Sequence, residues 1–161
     1  MLVDFNSLPE SSRVWVYQAD REFSSTEVDQ ITQLLITFVN NWKRHGEDLK
    51  ASFHVKYNQF IILAVDEDYN DVSGCSIDAS VHIIKQLQQQ FEVDLLNKMN
   101  VTFKDGDNIN TVSLKEFKEY VKQDKIKPST VVFNNMITSK ADLLSAWEVE
   151  ANKSWHAKFL N

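Results

Sequence analysis

The segment Phe60-Ile-Ile-Leu-Ala-Val65 is apolar at every position. A strand with one face in water alternates apolar and polar residues, so this run predicts a central strand that is covered on both faces. The segment before it, residues 51–57, does alternate, which predicts a half-buried edge strand. Because only the turn at Asn58-Gln59 separates the two segments, we expect them to form a hairpin.

Two further strands and two helices are predicted around this hairpin. Arg13-Val-Trp-Val-Tyr17 is apolar on both faces and predicts a second central strand, whereas Asn100-Val-Thr-Phe-Lys104 predicts an edge strand. The first helix is expected to begin at the capping box Ser24-Ser-Thr-Glu27 and to end with residues 43–45 in its last turn. Gly46 would be its left-handed cap.

The second helix is expected to begin near Ser73 and to bury an apolar stripe from Ile77 to Phe91. The order of elements over residues 13–104 is then βαββαβ, which predicts the α+β class with a ferredoxin-like sheet. Residues 105–161 are expected to form a C-terminal α/β extension that covers the second face of this sheet and contains a third helix capped by Ser113-Leu-Lys-Glu116. The chain length predicts a single domain over residues 1–161.

Charge and composition exclude several classes of partner. The net charge is -6, which repels a nucleic-acid backbone unless the basic residues segregate onto one face, and no such segregation is visible. No apolar stretch reaches the length of a membrane span, and the N-terminus lacks a signal-peptide pattern. A single cysteine forms no internal disulfide. These features predict a cytoplasmic protein with no nucleic-acid partner and no direct membrane insertion.

Nucleotide-binding motifs are absent from the sequence. A Walker A loop needs a glycine, four residues and then Gly-Lys-Ser/Thr, and the only glycines here are Gly46, Gly74 and Gly106, none followed by lysine. A Rossmann fingerprint fails for the same reason. We therefore expect no ATP hydrolysis, no ATP binding tighter than ~1 mM, and no cofactor.

The most informative segment for function is Ser73-Gly-Cys-Ser-Ile-Asp78, because it places Cys75 at a helix N-terminus, where the helix dipole favours a thiolate or a bound anion. In the predicted topology His45 lies at the same end of the sheet. A non-catalytic site there would present a ligand or partner with His45, Gly74, Cys75, Ser76 and Asp78. A catalytic site would use Cys75 as nucleophile and His45 as base. In the purely structural alternative, Ser73 or Ser76 caps the helix and Cys75 packs as a small apolar side chain.

Two patterns could suggest a metal, and neither predicts one. Residues 66–70 begin like a calcium loop, but Asp71 and Ile77 stand where that motif requires glycine and glutamate. Cys75, Asp78 and His82 could offer three ligands on one helix face. An exposed Asp–His pair four residues apart is the simpler interpretation, so no metal is expected.

Several segments resemble a family of short bacterial proteins of uncharacterised function. They are Trp42-Lys-Arg-His-Gly46 with Leu49, Phe60 to Asp66, Ser73-Gly-Cys-Ser-Ile-Asp-Ala-Ser-Val81, Val132-Phe-Asn-Asn135, and Ser154-Trp-His156 with Phe159-Leu160. The resemblance spans nearly the whole chain from Arg13, and the Gly-Cys-Ser-Ile-Asp run is its most specific part. Members are often labelled ABC transporter ATPases, a label that conflicts with the missing Walker A loop.

Four interpretations of function are open at this point. The leading one is a non-catalytic domain that binds or regulates through an unknown small molecule or protein. The second is a small enzyme using Cys75 and His45. The third, which the resemblance implies, is an accessory protein beside a transporter, without ATPase activity. The fourth is an interaction module that associates through its edge strands or through the aromatic C-terminus from Trp155, for which core packing is the structural alternative.

Overall fold

In the computed structural model, which describes residues 1–161, the all-apolar segment is a central strand with every residue buried. The protein is an α+β structure with four α-helices and three antiparallel sheets. The strands are β1 (Arg13–Gln18), β2 (Lys43–Arg44), β3 (Glu47–Asp48), β4 (Ala51–Lys56), β5 (Phe60–Val65), β6 (Asn100–Asp105), β7 (Asn108–Ser113), β8 (Val131–Phe133) and β9 (Glu148–Glu150). The helices are α1 (Ser25–Asn40), α2 (Gly74–Phe91), α3 (Leu114–Lys122) and α4 (Lys140–Ser145), with 3₁₀ turns at Phe5–Ser7, Ala151–Lys153 and Trp155–Phe159.

The contacts divide the chain into two compact units. The first unit holds residues 1–96 and 138–141, and the second holds residues 97–137 and 142–161. The division falls between α2 and β6 rather than at residue 104. A single domain over residues 1–161 stays a prediction, as does the covering of the first sheet by residues 105–161.

The sheet of the first unit has the order β1-β5-β4, with both pairs antiparallel. Leu63 of β5 lies opposite Trp15 on one side and Phe53 on the other. The β4–β5 hairpin and the central position of β5 are therefore confirmed. The prediction for β1 is wrong, because this strand pairs with β5 on one side and has only an isolated bridge from Arg13 to Ser139 on the other. Trp15, Val16 and Tyr17 of this strand are accordingly only half-buried.

The four-stranded ferredoxin-like sheet is not confirmed, because β6 belongs to a different sheet. It pairs with β7 and β8 in the order β7-β6-β8-β9 within the second unit. The prediction of an edge strand at residues 100–104 is therefore wrong, because β6 has a neighbour on both sides. The cause is local: the chain turns at Gly106, where φ is +61°, and returns as β7 along six paired positions. A short hairpin closes at a lower entropic cost than a pairing across the whole first unit.

Helix α1 begins with the predicted capping box. The Ser24 hydroxyl accepts the Glu27 N–H at 3.2 Å, and the Glu27 carboxylate accepts the Ser24 N–H at 3.0 Å. The predicted C-terminus is wrong, because the helix ends at Asn40 and residues 43–48 form the small β2–β3 hairpin. His45 and Gly46 occupy its turn with φ of +49° and +84°. A left-handed glycine serves a helix cap and a tight hairpin equally well, so the sequence did not separate the two.

Helix α2 begins at Gly74 as expected, but its buried face differs from the predicted stripe at the N-terminal end, because Ile77 is only half-buried and Ser76 and Ser80 are buried instead. The buried residues are Ser76, Ser80, Ile83, Ile84, Leu87 and Phe91. The core of the first unit joins this stripe to Ile31 and Leu35 of α1 and to Ile61 and Leu63 of β5. Two helices thus pack with β5 in one continuous core.

In the second unit, α3 contributes to a core with its sheet. Ser113 caps the helix by accepting the Glu116 N–H at 3.1 Å, as the sequence predicts. Phe117 and Val121 pack with Val101, Phe103 and Val132, and Trp155 and Phe159 of the C-terminal turn pack against this core. The structural interpretation of the aromatic tail is therefore confirmed. None of the helices is both long and apolar enough to cross a bilayer.

Candidate functional site

The N-terminus of α2 is held by a network of serine hydrogen bonds. The Ser73 hydroxyl accepts the N–H of Ser76 at 3.2 Å, and the two hydroxyls lie 2.9 Å apart. The Ser76 hydroxyl donates to the carbonyl of Lys43 at 3.0 Å. Ser76 itself is only 1% exposed. Its side chain therefore fastens the helix to the segment that follows α1, and its hydroxyl is already engaged.

The other predicted residues of this edge face solvent. Gly74, Cys75 and Asp78 are exposed, and a Cβ added at Gly74 would meet nothing within 4 Å. The glycine thus creates no close backbone approach. The structural alternative for Cys75, packing as a small apolar side chain, is wrong, because the thiol lies at the surface of the first turn of α2.

His45 lies in the exposed turn of the β2–β3 hairpin, which adjoins α2 through the bond from Ser76 to Lys43. Arg44 and Asp71 add an ion pair of 4.0 Å between the hairpin and the loop before α2. The predicted closeness of this turn to the start of α2 is confirmed at the level of the two segments. No hydrogen bond joins the Cys75 thiol to the His45 imidazole. The catalytic pair stays a prediction.

The three-ligand metal arrangement on α2 is not present. Asp78 and His82 are both exposed, and no group of three His, Cys, Asp or Glu side chains in the structure is placed to hold a metal ion. In the acidic loop, Asp66 is buried and accepts the N–H of Asp68 at 3.1 Å, with Lys50 at 3.9 Å from its other oxygen. That carboxylate shapes the turn.

A cleft of about 710 Å³ opens in the second unit, and we call it the hairpin cleft. It is lined by Phe103–Gly106, Asn110–Val112, Tyr120, Lys125 and Ser129–Val131. Strands β6 and β8 share one register pair, Phe103 opposite Val132, and the lining includes residues on both sides of the turn at Gly106 together with Ser129–Val131. Its volume is within the range of small-molecule sites.

Aromatic and cationic side chains meet on one wall of the hairpin cleft. The rings of Phe103 and Tyr120 lie edge to face, with centroids 6.3 Å apart. The ammonium of Lys125 lies 5.3 Å from the Tyr120 centroid, within the range of a cation–π contact. Lys104 pairs with Glu148. The cleft thus combines an apolar wall with charged and hydroxyl groups.

The cleft is not predictable from strand periodicity, because it depends on β7. Residues 108–113 do not alternate, so they carry no strand periodicity. The available signal is Gly106-Asp107, since glycine followed by aspartate is a frequent two-residue hairpin turn and here lies between the paired residues Asp105 and Asn108. Treating the residues after it as a returning strand would have placed residues 110–112 beside β6.

One titratable group of the aromatic C-terminal tail is buried. His156 is fully buried, shares a 2.8 Å hydrogen bond between its Nδ1 and the Ser154 hydroxyl, and stacks on Trp155 at 3.7 Å. Its Nε2 is buried without a partner. Burial lowers the pKa of His156 to about 4. The ring is therefore neutral at pH 7 and forms part of the core beside Phe117.

Comparison with protein-family models, curated proteins and solved structures finds no match to this chain.

Proposed function

We propose that the protein is a non-catalytic ligand-binding domain and that the hairpin cleft is its small-molecule site. The observation that carries the proposal is the cleft itself, with its volume of about 710 Å³ and its mixed lining. Small-molecule sites join apolar and aromatic walls to a few polar groups that orient the ligand. Phe103 and Tyr120 supply the first, and Asn110, Ser129 and Thr130 supply the second.

The edge at α2 supports a ligand less well. Its buried serine is committed to structural hydrogen bonds, and its remaining candidates, Gly74, Cys75 and Asp78, are exposed. A ligand or protein partner at His45 and these residues is kept as a second candidate. The enzyme alternative has the same edge and lacks a hydrogen bond between nucleophile and base, which such chemistry requires in the reactive complex.

The setting of the proposed function follows from charge and composition. A cytoplasmic location and the absence of a nucleic-acid partner are supported by the single cysteine and the net charge of -6. An accessory role beside a transporter is supported only by the sequence resemblance. A binding domain with no nucleotide site is compatible with that role.

A thermal-shift screen of a metabolite library tests the proposal. A ligand present at about 100 times its dissociation constant stabilises the fold by about 2.7 kcal/mol. We expect stabilising compounds whose effect is lost in Ser129→Trp, which fills the cleft from an exposed position. The matched control is Lys127→Trp, exposed in the same loop but outside the lining, which keeps the effect.

The screen contradicts the proposal if no compound stabilises the protein, or if the stabilisation persists unchanged in Ser129→Trp. Loss of stabilisation in a variant at Cys75 instead would move the ligand to the α2 edge.

A further inference from the structure

Two lysines line the hairpin cleft, and only one of them pairs with a carboxylate. Lys104 already pairs with Glu148 and lies 5.9 Å from the ring of Phe133. Lys125 forms no ion pair, and its ammonium is held only against the Tyr120 ring at 5.3 Å. A cation–π contact positions an ammonium without neutralising its charge. Lys125 is therefore the cation of the cleft that remains available to a ligand.

A hydroxyl donor lies in the same lining. The Thr130 hydroxyl oxygen accepts the N–H of Lys127 at 2.9 Å, which leaves its proton free to donate. By contrast, the Thr111 hydroxyl is within 2.9 Å of the Thr102 hydroxyl and already has a partner. An ammonium and a hydroxyl proton together form a donor set for an anionic oxygen.

The apolar wall of the cleft indicates that the ligand also carries an apolar group. Phe103 and Tyr120 meet edge to face, and Val112 and Val131 complete an apolar surface in the lining. Such a surface gains from covering a ring or short aliphatic body, at roughly 25 cal/mol for each Å² removed from water. A bare inorganic ion would leave this wall in water.

The distribution of charge along the chain favours an anion in this unit. The first unit has eight basic and fifteen acidic residues, whereas the second unit has nine basic and eight acidic residues. The acidic excess of the protein therefore belongs to the first unit. Asp105 is the one carboxylate of the cleft lining, and it lies exposed at the end of β6, where water screens it.

We propose that the hairpin cleft binds a small organic anion, a carboxylate or a phosphate monoester carried on an apolar ring, with the Lys125 ammonium and the Thr130 hydroxyl holding the anionic oxygens. This inference rests on the proposed function and names the ligand class of the same site.

The test compares three ring compounds of similar size by NMR titration of the full chain: benzoate, phenyl phosphate and the neutral benzamide. We expect at least one of the two anions to shift the amide signals of Gly106, Ser129 and Thr130 in a saturable way. Benzamide should bind about tenfold more weakly, which is the lower end of what a hydrogen bond to a charged group contributes. The two anions distinguish a carboxylate from a phosphate monoester.

Charge variants of the protein test whether the bound ligand is negatively charged. Lys125→Gln should weaken the anion about tenfold, while Lys122→Gln, exposed at the end of α3 and outside the lining, should leave the affinity unchanged. Asp105→Asn should strengthen the anion about two- to threefold, since it removes a screened repulsion. None of the three side chains is buried, so all variants are expected to fold.

The possible results distinguish a wrong ligand class from a wrong binding site. Equal affinity for benzamide and the anions, or a weaker anion complex in Asp105→Asn, overturns the anion class while the cleft remains the binding site. Shifts that persist in Ser129→Trp, or no shifts with any of the three compounds, overturn both the inference and the proposed site.

Discussion

The indole Nε1 of Trp42 donates a buried 2.9 Å hydrogen bond to the backbone carbonyl of Ser76. The bond joins the segment after α1 to the first turn of α2, across 34 residues of sequence. The Ser76 hydroxyl returns a bond to the neighbouring Lys43 carbonyl. The adjacent residues Trp42 and Lys43 are thereby both bonded to Ser76, which fixes where the β2–β3 hairpin leaves the core.

Replacing this indole should destabilise the first unit. Trp42→Phe keeps an aromatic ring but removes the donor and part of the buried volume, so we expect the free energy of unfolding to fall by about 2–3 kcal/mol. Urea denaturation measures it. The matched control is Trp15→Phe, whose half-buried ring lies 6.0 Å from that of Trp42 and makes no indole hydrogen bond; it should cost about 1 kcal/mol or less. Equal losses in the two variants would show that volume alone matters.

Lys140 should hold the 3₁₀ turn at Phe5–Ser7 in place. Its buried ammonium donates to the carbonyls of Phe5, Asn6 and Leu8 at 3.1, 3.3 and 2.6 Å. Lys140→Met preserves the length of the side chain but leaves these acceptors without their donor, so we expect a loss of about 3 kcal/mol. Chymotrypsin should also cleave faster at Phe5. The control Lys85→Met, exposed on α2, should change neither; unchanged cleavage in Lys140→Met would contradict the anchoring role.

The stability of the second unit should fall with acid because of His156. Its pKa is about 4 in the folded protein, lowered by burial, and about 6.5 in the unfolded chain. Between these values the unfolded state binds the proton and the folded state does not, so stability is complete above pH 6.5 and is lost as pH falls toward 4. The full difference is about 3 kcal/mol.

His156→Phe should flatten this pH dependence, because the ring contacts remain and the titrating group is removed. Denaturant titrations at pH 7 and pH 4.5 measure it. His82→Phe is the control, since His82 is exposed and its replacement should leave the acid sensitivity intact. An unchanged slope in His156→Phe would assign the sensitivity to other groups.

The sequence predicted the elements whose signals are local and missed those decided by distant partners. The capping residues Ser24, Ser73 and Ser113 act within one helical turn, so their motifs located three helix starts correctly. The all-apolar β5 is likewise recognisable from its own composition. The partners of β6 are not encoded in β6: a strand pairs with whichever neighbours the chain brings to it, and here the turn at Gly106 brings β7 first.

The candidate sites show the same division. The exposed thiol of Cys75 at a helix start follows from a local motif, whereas the hairpin cleft depends on how β6, β7 and the segment before β8 come together, which no local pattern records. Packing of the aromatic tail on the core follows from its composition, whereas the lack of a hydrogen-bond partner for the buried Nε2 of His156 depends on distant residues and has no local signal.

Cys75 should react freely with alkylating reagents in the folded protein, and the rate should not depend on His45. The thiol is exposed, and no hydrogen bond connects it to that imidazole. We expect full modification by iodoacetamide and equal rates in the wild type and His45→Ala at pH 7. Cys75→Ser gives the background. A several-fold slower reaction in His45→Ala would show that the imidazole activates the thiol, and would favour the enzyme alternative.

Mg-ATP should bind more weakly than ~1 mM, which corresponds to about -4.1 kcal/mol. A triphosphate needs several backbone N–H groups in a glycine-rich loop or a cluster of cations. At α2 the Ser76 N–H is already taken by the Ser73 hydroxyl, and the preceding loop is acidic. The hairpin cleft offers one uncompensated ammonium, Lys125, which suffices for a single anionic group but not for three phosphates. Isothermal calorimetry with Mg-ATP should therefore show no saturable heat, and micromolar binding that Ser129→Trp abolishes would contradict this limit on the cleft.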